Sequence, residues 1–219
     1  SIGAIPLPPA YRRTTVAEGS FGEWLRELPL KKDKTVYLYN GQKKTNQLAQ
    51  FAVVNISTGT RDLQQCADAL MRLRAEYLFA TGQEESISFT DNAGKIYAWK
   101  GGKDTAAFKS YLEQVFGWCG SASLEKQLKP VNDFRSIRIG DVLIRGGFPG
   151  HAVMVVDLAE NEKGEKIYLL LQSYQPAQDM HVLVNPADSG LSPWYRVGSD
   201  SNIHTPEWHF TQKQLRRWE

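Results

Sequence analysis

Between positions 141 and 184 the chain carries four short apolar runs, at 141–145, 151–158, 166–174 and 180–184. The first three are separated by Gly146-Gly-Phe-Pro-Gly150 and by the charged turn Glu160-Asn-Glu-Lys-Gly-Glu165. Separators that short join strands as hairpins and leave no room for the crossover helices a parallel sheet needs. This half of the molecule is therefore expected to be an antiparallel sheet. The helical patterns precede it. At 61–81, Leu63, Cys66, Ala67, Leu70, Leu73, Tyr77 and Leu78 recur at three-and-four spacing, and Gly82 follows as a C′ residue. A capping box at Ser20-Phe-Gly-Glu23 starts a shorter helix, and two more are expected at 105–116 and 121–128. A strand is expected at 47–56, a tight turn at Asn40-Gly41, and a hairpin at 85–100 about Asp91-Asn-Ala-Gly94. Helices first and sheet second define an α+β class, with residues 1–33 as an N-terminal extension packing on the core and 34–219 as a single α+β domain.

Composition narrows the function. Apolar residues make up 42% of the 219, an ordinary globular share, and Lys+Arg minus Asp+Glu is 26 − 24 = +2. A balance so near neutral gives no nucleic-acid or polybasic membrane-surface footprint. No apolar run approaches the roughly 18–20 residues of a membrane helix. Cys66 and Cys119 form no CxxC, which excludes zinc ribbons and thioredoxin motifs and leaves either one disulfide or two free thiols. The chain opens at Ser1 without an initiator Met, which reads as a trimmed or mature secreted chain.

Chemistry concentrates in a few places. His151 opens an alternating strand behind a Gly-rich loop with little bulk to shield an imidazole. It either acts as a general base or caps a strand end; alternation puts it on one face with Val153, Val155 and Asp157. Gln172, on the next strand, either accepts an imidazole N–H and fixes its tautomer or satisfies a backbone group. Cys66 is a nucleophile or a buried structural thiol. With Asp62 as N-cap it is N4, so an oxyanion hole would draw on other donors, such as the Gln65 amide. Cys119, in Trp118-Cys-Gly-Ser-Ala-Ser123, is the rival: a loop thiol beside a helix start, or an incidental one. Trp99, Trp194, Tyr195 and Trp208 could form an aromatic platform or anchor the core. Arg72, Arg74 and Glu76 line a polar cleft or a solvated helix face. His204 and His209, at i and i+5 about Pro206, do not share a helical face and are not expected to hold a metal. Nothing calls for a cofactor.

The strings Asp62-Leu-Gln-Gln-Cys-Ala-Asp-Ala-Leu-Met-Arg-Leu-Arg-Ala-Glu-Tyr77, Gly140-Asp-Val-Leu-Ile-Arg-Gly-Gly-Phe-Pro-Gly-His151, Gln172-Ser-Tyr-Gln-Pro-Ala-Gln-Asp-Met-His-Val182 and Leu191-Ser-Pro-Trp-Tyr195 resemble the bacterial family catalogued as domain of unknown function 4846. That resemblance implies an envelope protein, periplasmic or outer-membrane-associated, often a lipoprotein or secreted. A weaker similarity, in the order helix Cys, Gly-Asp strand, strand His, next-strand polar residue, is to the papain-like NlpC cell-wall peptidases. It implies an antiparallel sheet packed against the Cys-bearing helix, with Cys66, His151 and Gln172 as nucleophile, base and orienter, Gln65 in support, and a cell-envelope peptide or glycan as partner. The chain departs from that group in lacking an Asp-Cys-Ser-Gly string, in having Gln65 before the thiol, and in a 74-residue interval from Cys66 to Gly140. The alternative is an inactive papain-like module binding envelope glycan or peptide, with Trp194 and Tyr195 in the contact.

Overall fold

A computed structural model describes all residues from Ser1 to Glu219. Its centre is the expected antiparallel sheet, built on two long strands, β7 (His151–Glu160) and β8 (Lys166–Gln172). Earlier strands are β1 (Arg12–Arg13), β2 (Gln50–Val53), β3 (Ser88–Thr90), β4 (Ile96–Ala98), β5 (Lys129–Pro130) and β6 (Val142–Arg145). Later ones are β9 (His181–Leu183), β10 (Tyr195–Arg196), β11 (Asn202–His204), β12 (His209–Thr211) and β13 (Leu215–Arg217). The main sheet has nine strands in the order β2-β9-β8-β7-β6-β13-β5, with β1 added beside β7 and β10 beside β8. All its pairings are antiparallel. β3 with β4, and β11 with β12, form separate hairpins.

Four helices join the sheet: α1 (Phe21–Glu27), α2 (Cys66–Ala80), α3 (Thr105–Trp118) and α4 (Ser121–Gln127). Ser20 caps α1 by accepting the Glu23 N–H at 3.2 Å, a bond worth about 1 kcal/mol. α2 is the long expected helix, but it starts at Cys66, with Gln65 as N-cap, rather than near Asp62. The Asp62 carboxylate is engaged elsewhere: it accepts the Ala177 N–H at 2.7 Å, bridging to the segment after β8. Gly82, at φ 75°, ends the helix with the Gln83 N–H on the Leu78 carbonyl.

The sheet is buried on both faces, which is why β7 reads as a nearly unbroken apolar run. One face, with Ala152, Met154, Val156, Leu169 and Leu171, packs on Leu70, Leu73 and Leu25 of the helices. The other, with Val153, Val155, Tyr168 and Leu170, is covered by Phe134, Ile203 and Phe210. Ile2, Ile5 and Leu25 show that residues 1–33 supply part of the first core. A bulge between Val155 and Asp157 interrupts the register with β8. Beyond it the sides exchange, with Leu158 on the second face and Ala159 on the first. Asp157 therefore does not share a face with His151, as simple alternation predicts. It turns instead toward Arg13 and Arg26, 2.7 Å from each.

Candidate functional site

At its first residue β7 presents His151 on the second face, next to Gln172 at the end of β8. His151 Nε2 lies 2.9 Å from Gln172 Oε1, so the amide oxygen accepts the ring N–H and the two expected residues meet. The amide nitrogen of Gln172 is as closely held: it donates to Glu207 Oε2 at 2.6 Å and faces His181 Nε2 at 3.1 Å. His181 stands directly opposite Gln172 in the β8–β9 register, and its Nδ1 lies 2.9 Å from the Asp179 carbonyl. Glu207 sits in the turn of the β11–β12 hairpin and receives Lys44 Nζ at 2.6 Å and Asn46 Nδ2 at 3.2 Å. Tyr174, Trp208 and Phe210 pack around the His151 ring, with centroids 4.6, 5.3 and 5.9 Å away.

These neighbours correct one expectation. The Gly-rich loop does not leave the imidazole open, because His151 is only 1% exposed, shielded by rings from two other segments. The loop's glycines serve close packing: a Cβ on Gly150 would fall 2.8 Å from the Arg145 and Gly147 carbonyl oxygens. Burial drives the pKa of His151 down to about 4, against smaller upward pulls from Gln172 and Glu207. Burial likewise drives His181 down to about 4. Both rings are neutral at neutral pH. Burial lowers the Lys44 ammonium pKa, while its hydrogen bond to Glu207 opposes the shift.

Cys66 is N1 of α2, not N4. The backbone N–H groups of Cys66 and Ala67 find no carbonyl partner in the preceding loop, as expected for a helix's first turn. The thiol is partly buried, and burial pushes its pKa up to about 11, with the nearby Asp68 adding to the rise. The N–H groups of Ala67, Ala152 and Cys66 itself pull it back down. Ala152 follows His151, so the sulfur lies beside the start of β7, yet no hydrogen bond joins Cys66 to His151. Gln65 does not serve as an oxyanion donor: its N–H is taken by Asp68 Oδ2 at 3.0 Å. The donors there without a backbone partner are the N–H groups of Cys66 and Ala67.

The other candidates separate cleanly. Cys119 is the C-cap of α3, buried in the first core, with its N–H on the Val115 carbonyl at 2.8 Å; burial raises its pKa to about 12. It is not an exposed loop thiol. Trp194 and Tyr195 are 1% and 4% exposed, so they anchor the core instead of forming a platform, and Trp194 Nε1 donates to the Pro6 carbonyl at 2.8 Å. His204 and His209 oppose each other across the exposed hairpin, Nδ1 to Nδ1 at 3.1 Å, and no group of three or more His, Cys, Asp or Glu is placed to hold a metal. Arg72 and Glu76 form an i, i+4 pair at 2.7 Å and also line a cleft of about 350 Å³, with Phe108, Lys109 and Phe116. That cleft does not include Cys66, His151 or Gln172.

His181, Glu207 and Lys44 carry no local motif and were not expected at the site. No helix is long and apolar enough to cross a membrane. No curated protein and no solved structure matches the chain. One family model does, described as a domain of unknown function (4846), over residues 3–103 and again over 96–217. Those two matches span nearly the whole sequence, and the chain belongs to that family.

Proposed function

We propose that the protein is a papain-like cysteine hydrolase of amide bonds in a cell-envelope peptide or peptidoglycan. The observation that carries this reading is the His151–Gln172 pair at 2.9 Å on adjacent strands, together with a thiol at N1 of the helix that packs on the same sheet. In such a reaction the Cys66 sulfur attacks the carbonyl carbon, and His151 takes the thiol proton. The Cys66 N–H, unclaimed by backbone, stabilises the oxyanion. His151 then returns the proton to the leaving amine, and water attacks the thioester to release the acid and restore the thiol. With pKa values of about 4 and about 11, the resting pair is imidazole and thiol, so the proton moves during attack and not before it. The envelope setting and an NlpC-like sheet-and-helix arrangement belong to the same proposal.

The second reading is an inactive binding module. It is favoured by the shielding of His151 and by the missing hydrogen bond to Cys66. Its ligand surface would be the Arg72–Phe116 cleft rather than Trp194 and Tyr195.

Alkylation by iodoacetamide, mapped by peptide mass spectrometry, separates the two. A thiol with this pKa labels slowly at pH 6 and about tenfold faster per pH unit toward 9, because the thiolate is the nucleophile. The hydrolase reading expects Cys66 to label, Cys119 to stay silent, and His151→Ala to slow Cys66 at pH 7–8. Unchanged labelling in His151→Ala, or a native Cys66 silent even at pH 9, removes the Cys–His mechanism.

A further inference from the structure

We propose that Glu207 is a positioning residue: it fixes the orientation of the Gln172 amide and thereby holds His151 as the Nε2–H tautomer, leaving Nδ1 as the free proton acceptor. The inference rests on the hydrolase reading only for its consequence, since the lock itself is a matter of hydrogen-bond polarity. A carboxamide can sit in two orientations that exchange its oxygen and its NH₂ group. Two neighbours decide between them here. Glu207, paired with Lys44 Nζ at 2.6 Å and with Asn46 at 3.2 Å, presents an ionised carboxylate that accepts only. Placing the Gln172 oxygen 2.6 Å from it would set acceptor against acceptor, so the NH₂ group faces Glu207.

His181 favours the same orientation, through one neutral hydrogen bond where Glu207 supplies a stronger, charge-assisted one. Its Nδ1 lies 2.9 Å from the Asp179 carbonyl, which can only accept, so Nδ1 carries the proton and Nε2 is bare. Bare Nε2, 3.1 Å from the Gln172 amide nitrogen, accepts the second N–H. Both hydrogens of the amide are then used and its oxygen is left for His151. A neutral imidazole that donates from Nε2 has its lone pair on Nδ1, the state a general base needs. The polarity runs from Lys44 through Glu207 and Gln172 to His151, drawing on segments 128 residues apart between Gln172 and Lys44.

The test is long-range ¹H–¹⁵N spectra of the histidine rings in the full chain at pH 7.5. Wild type should show His151 with Nε2–H and His181 with the opposite tautomer, Nδ1–H. Glu207→Gln keeps an oxygen at the shared position and should keep the His151 tautomer. Glu207→Ala strands a buried ammonium and risks the fold, so Lys44→Met/Glu207→Ala is made beside it. In that double variant His151 should become a mixture of tautomers and Cys66 alkylation should slow about tenfold or more, as for other groups that orient a reacting residue. An Nδ1–H His151 in wild type, or an unchanged tautomer in the double variant, overturns the proposal. Expected tautomers with an unreactive wild-type Cys66 would support the lock and sink the hydrolase.

Discussion

At one end of β7, Asp157 is fully buried between Arg13 and Arg26; at the other, His151 is buried against Gln172, with His181, Glu207 and Lys44 behind it. The Asp157 cluster closes on itself. Its carboxylate takes both guanidinium Nε donors and the Leu158 N–H, while Arg13 Nη2 donates to the Ile5 carbonyl and the Arg26 Nη groups donate to the Thr14 and Leu158 carbonyls and, more loosely, to the Thr14 hydroxyl. Such a cluster clamps the N-terminal segment to the sheet and offers nothing to a substrate. The His151 cluster is also hydrogen-bonded, but its members direct one another, and the direction leaves a single ring nitrogen without a partner. Burial alone therefore does not separate a polar cluster that closes on itself from one that leaves an acceptor open. The polarity of the chain of bonds does.

The largest effect should come from breaking the clamp. Arg26 is nearly buried against Asp157, so Arg26→Met leaves a desolvated carboxylate with one guanidinium in place of two. Removing one partner from a buried pair costs about 3 kcal/mol or more. Denaturant unfolding should show that loss, while Cys66 alkylation in the folded variant stays at the wild-type rate. A cost below about 1 kcal/mol, the range of an exposed pair, would show that the clamp is not structural.

Acid should act on the other end. Above about pH 6.5 the His151 and His181 rings are neutral in both folded and unfolded chains. As pH falls from 6.5 to about 4, the unfolded chain binds protons that the folded one refuses, so stability is lost across that window. The loss is on the order of 3 kcal/mol per ring at the acid end. Asp68 and Asp141, whose pKa values burial raises, push the other way, so the clean measurement is a difference. His181→Asn keeps an acceptor for Gln172, and its stability should fall less steeply than wild type between pH 6.5 and 4. Parallel curves would mean that His181 titrates normally in the folded state.

Most of the sheet was readable because hairpin-length separators leave few ways to connect strands, and the four later strands lie within a few residues of their expected positions. His151 and Gln172 were readable for the same reason, as adjacent-strand residues with complementary chemistry. The start of α2 was misread because Asp is a favoured N-cap, whereas Asp62 is occupied by Ala177, a long-range partner with no local signal. The Asp157 face was misread because a bulge is invisible in an unbroken apolar run. Glu207 and Lys44 were missed because they reach Gln172 from distant segments. His181 could have been found from the β8–β9 register, had the bend between those strands been known.

The smallest effect should come from the turn that carries Glu207. Thr205 Oγ1 accepts the Trp208 N–H at 3.1 Å and donates to the Trp208 carbonyl at 2.7 Å, and the Thr205 N–H makes a backbone bond to the same carbonyl at 2.9 Å. Thr205→Ala removes the side-chain bonds and keeps the backbone one. Ile203 and Phe210 still seat the hairpin on the second face of the sheet, so the fold should survive. The expected cost is about 1 kcal/mol, read as a fall of about 2–4 °C in Tm. If the turn helps aim Glu207, Cys66 alkylation at pH 7.5 should also slow, though less than in Lys44→Met/Glu207→Ala. A lower Tm with unchanged alkylation would assign the aiming to Lys44 and Asn46 alone. The same replacement logic applied at the clamp, Thr14→Ala, removes a hydroxyl that bonds the Leu158 carbonyl at 3.1 Å and should cost a similar amount without altering the thiol at all. Two hydroxyl deletions of equal energetic weight would then differ only in whether the reactivity of Cys66 responds, and that difference is what distinguishes an aimed cluster from a closed one.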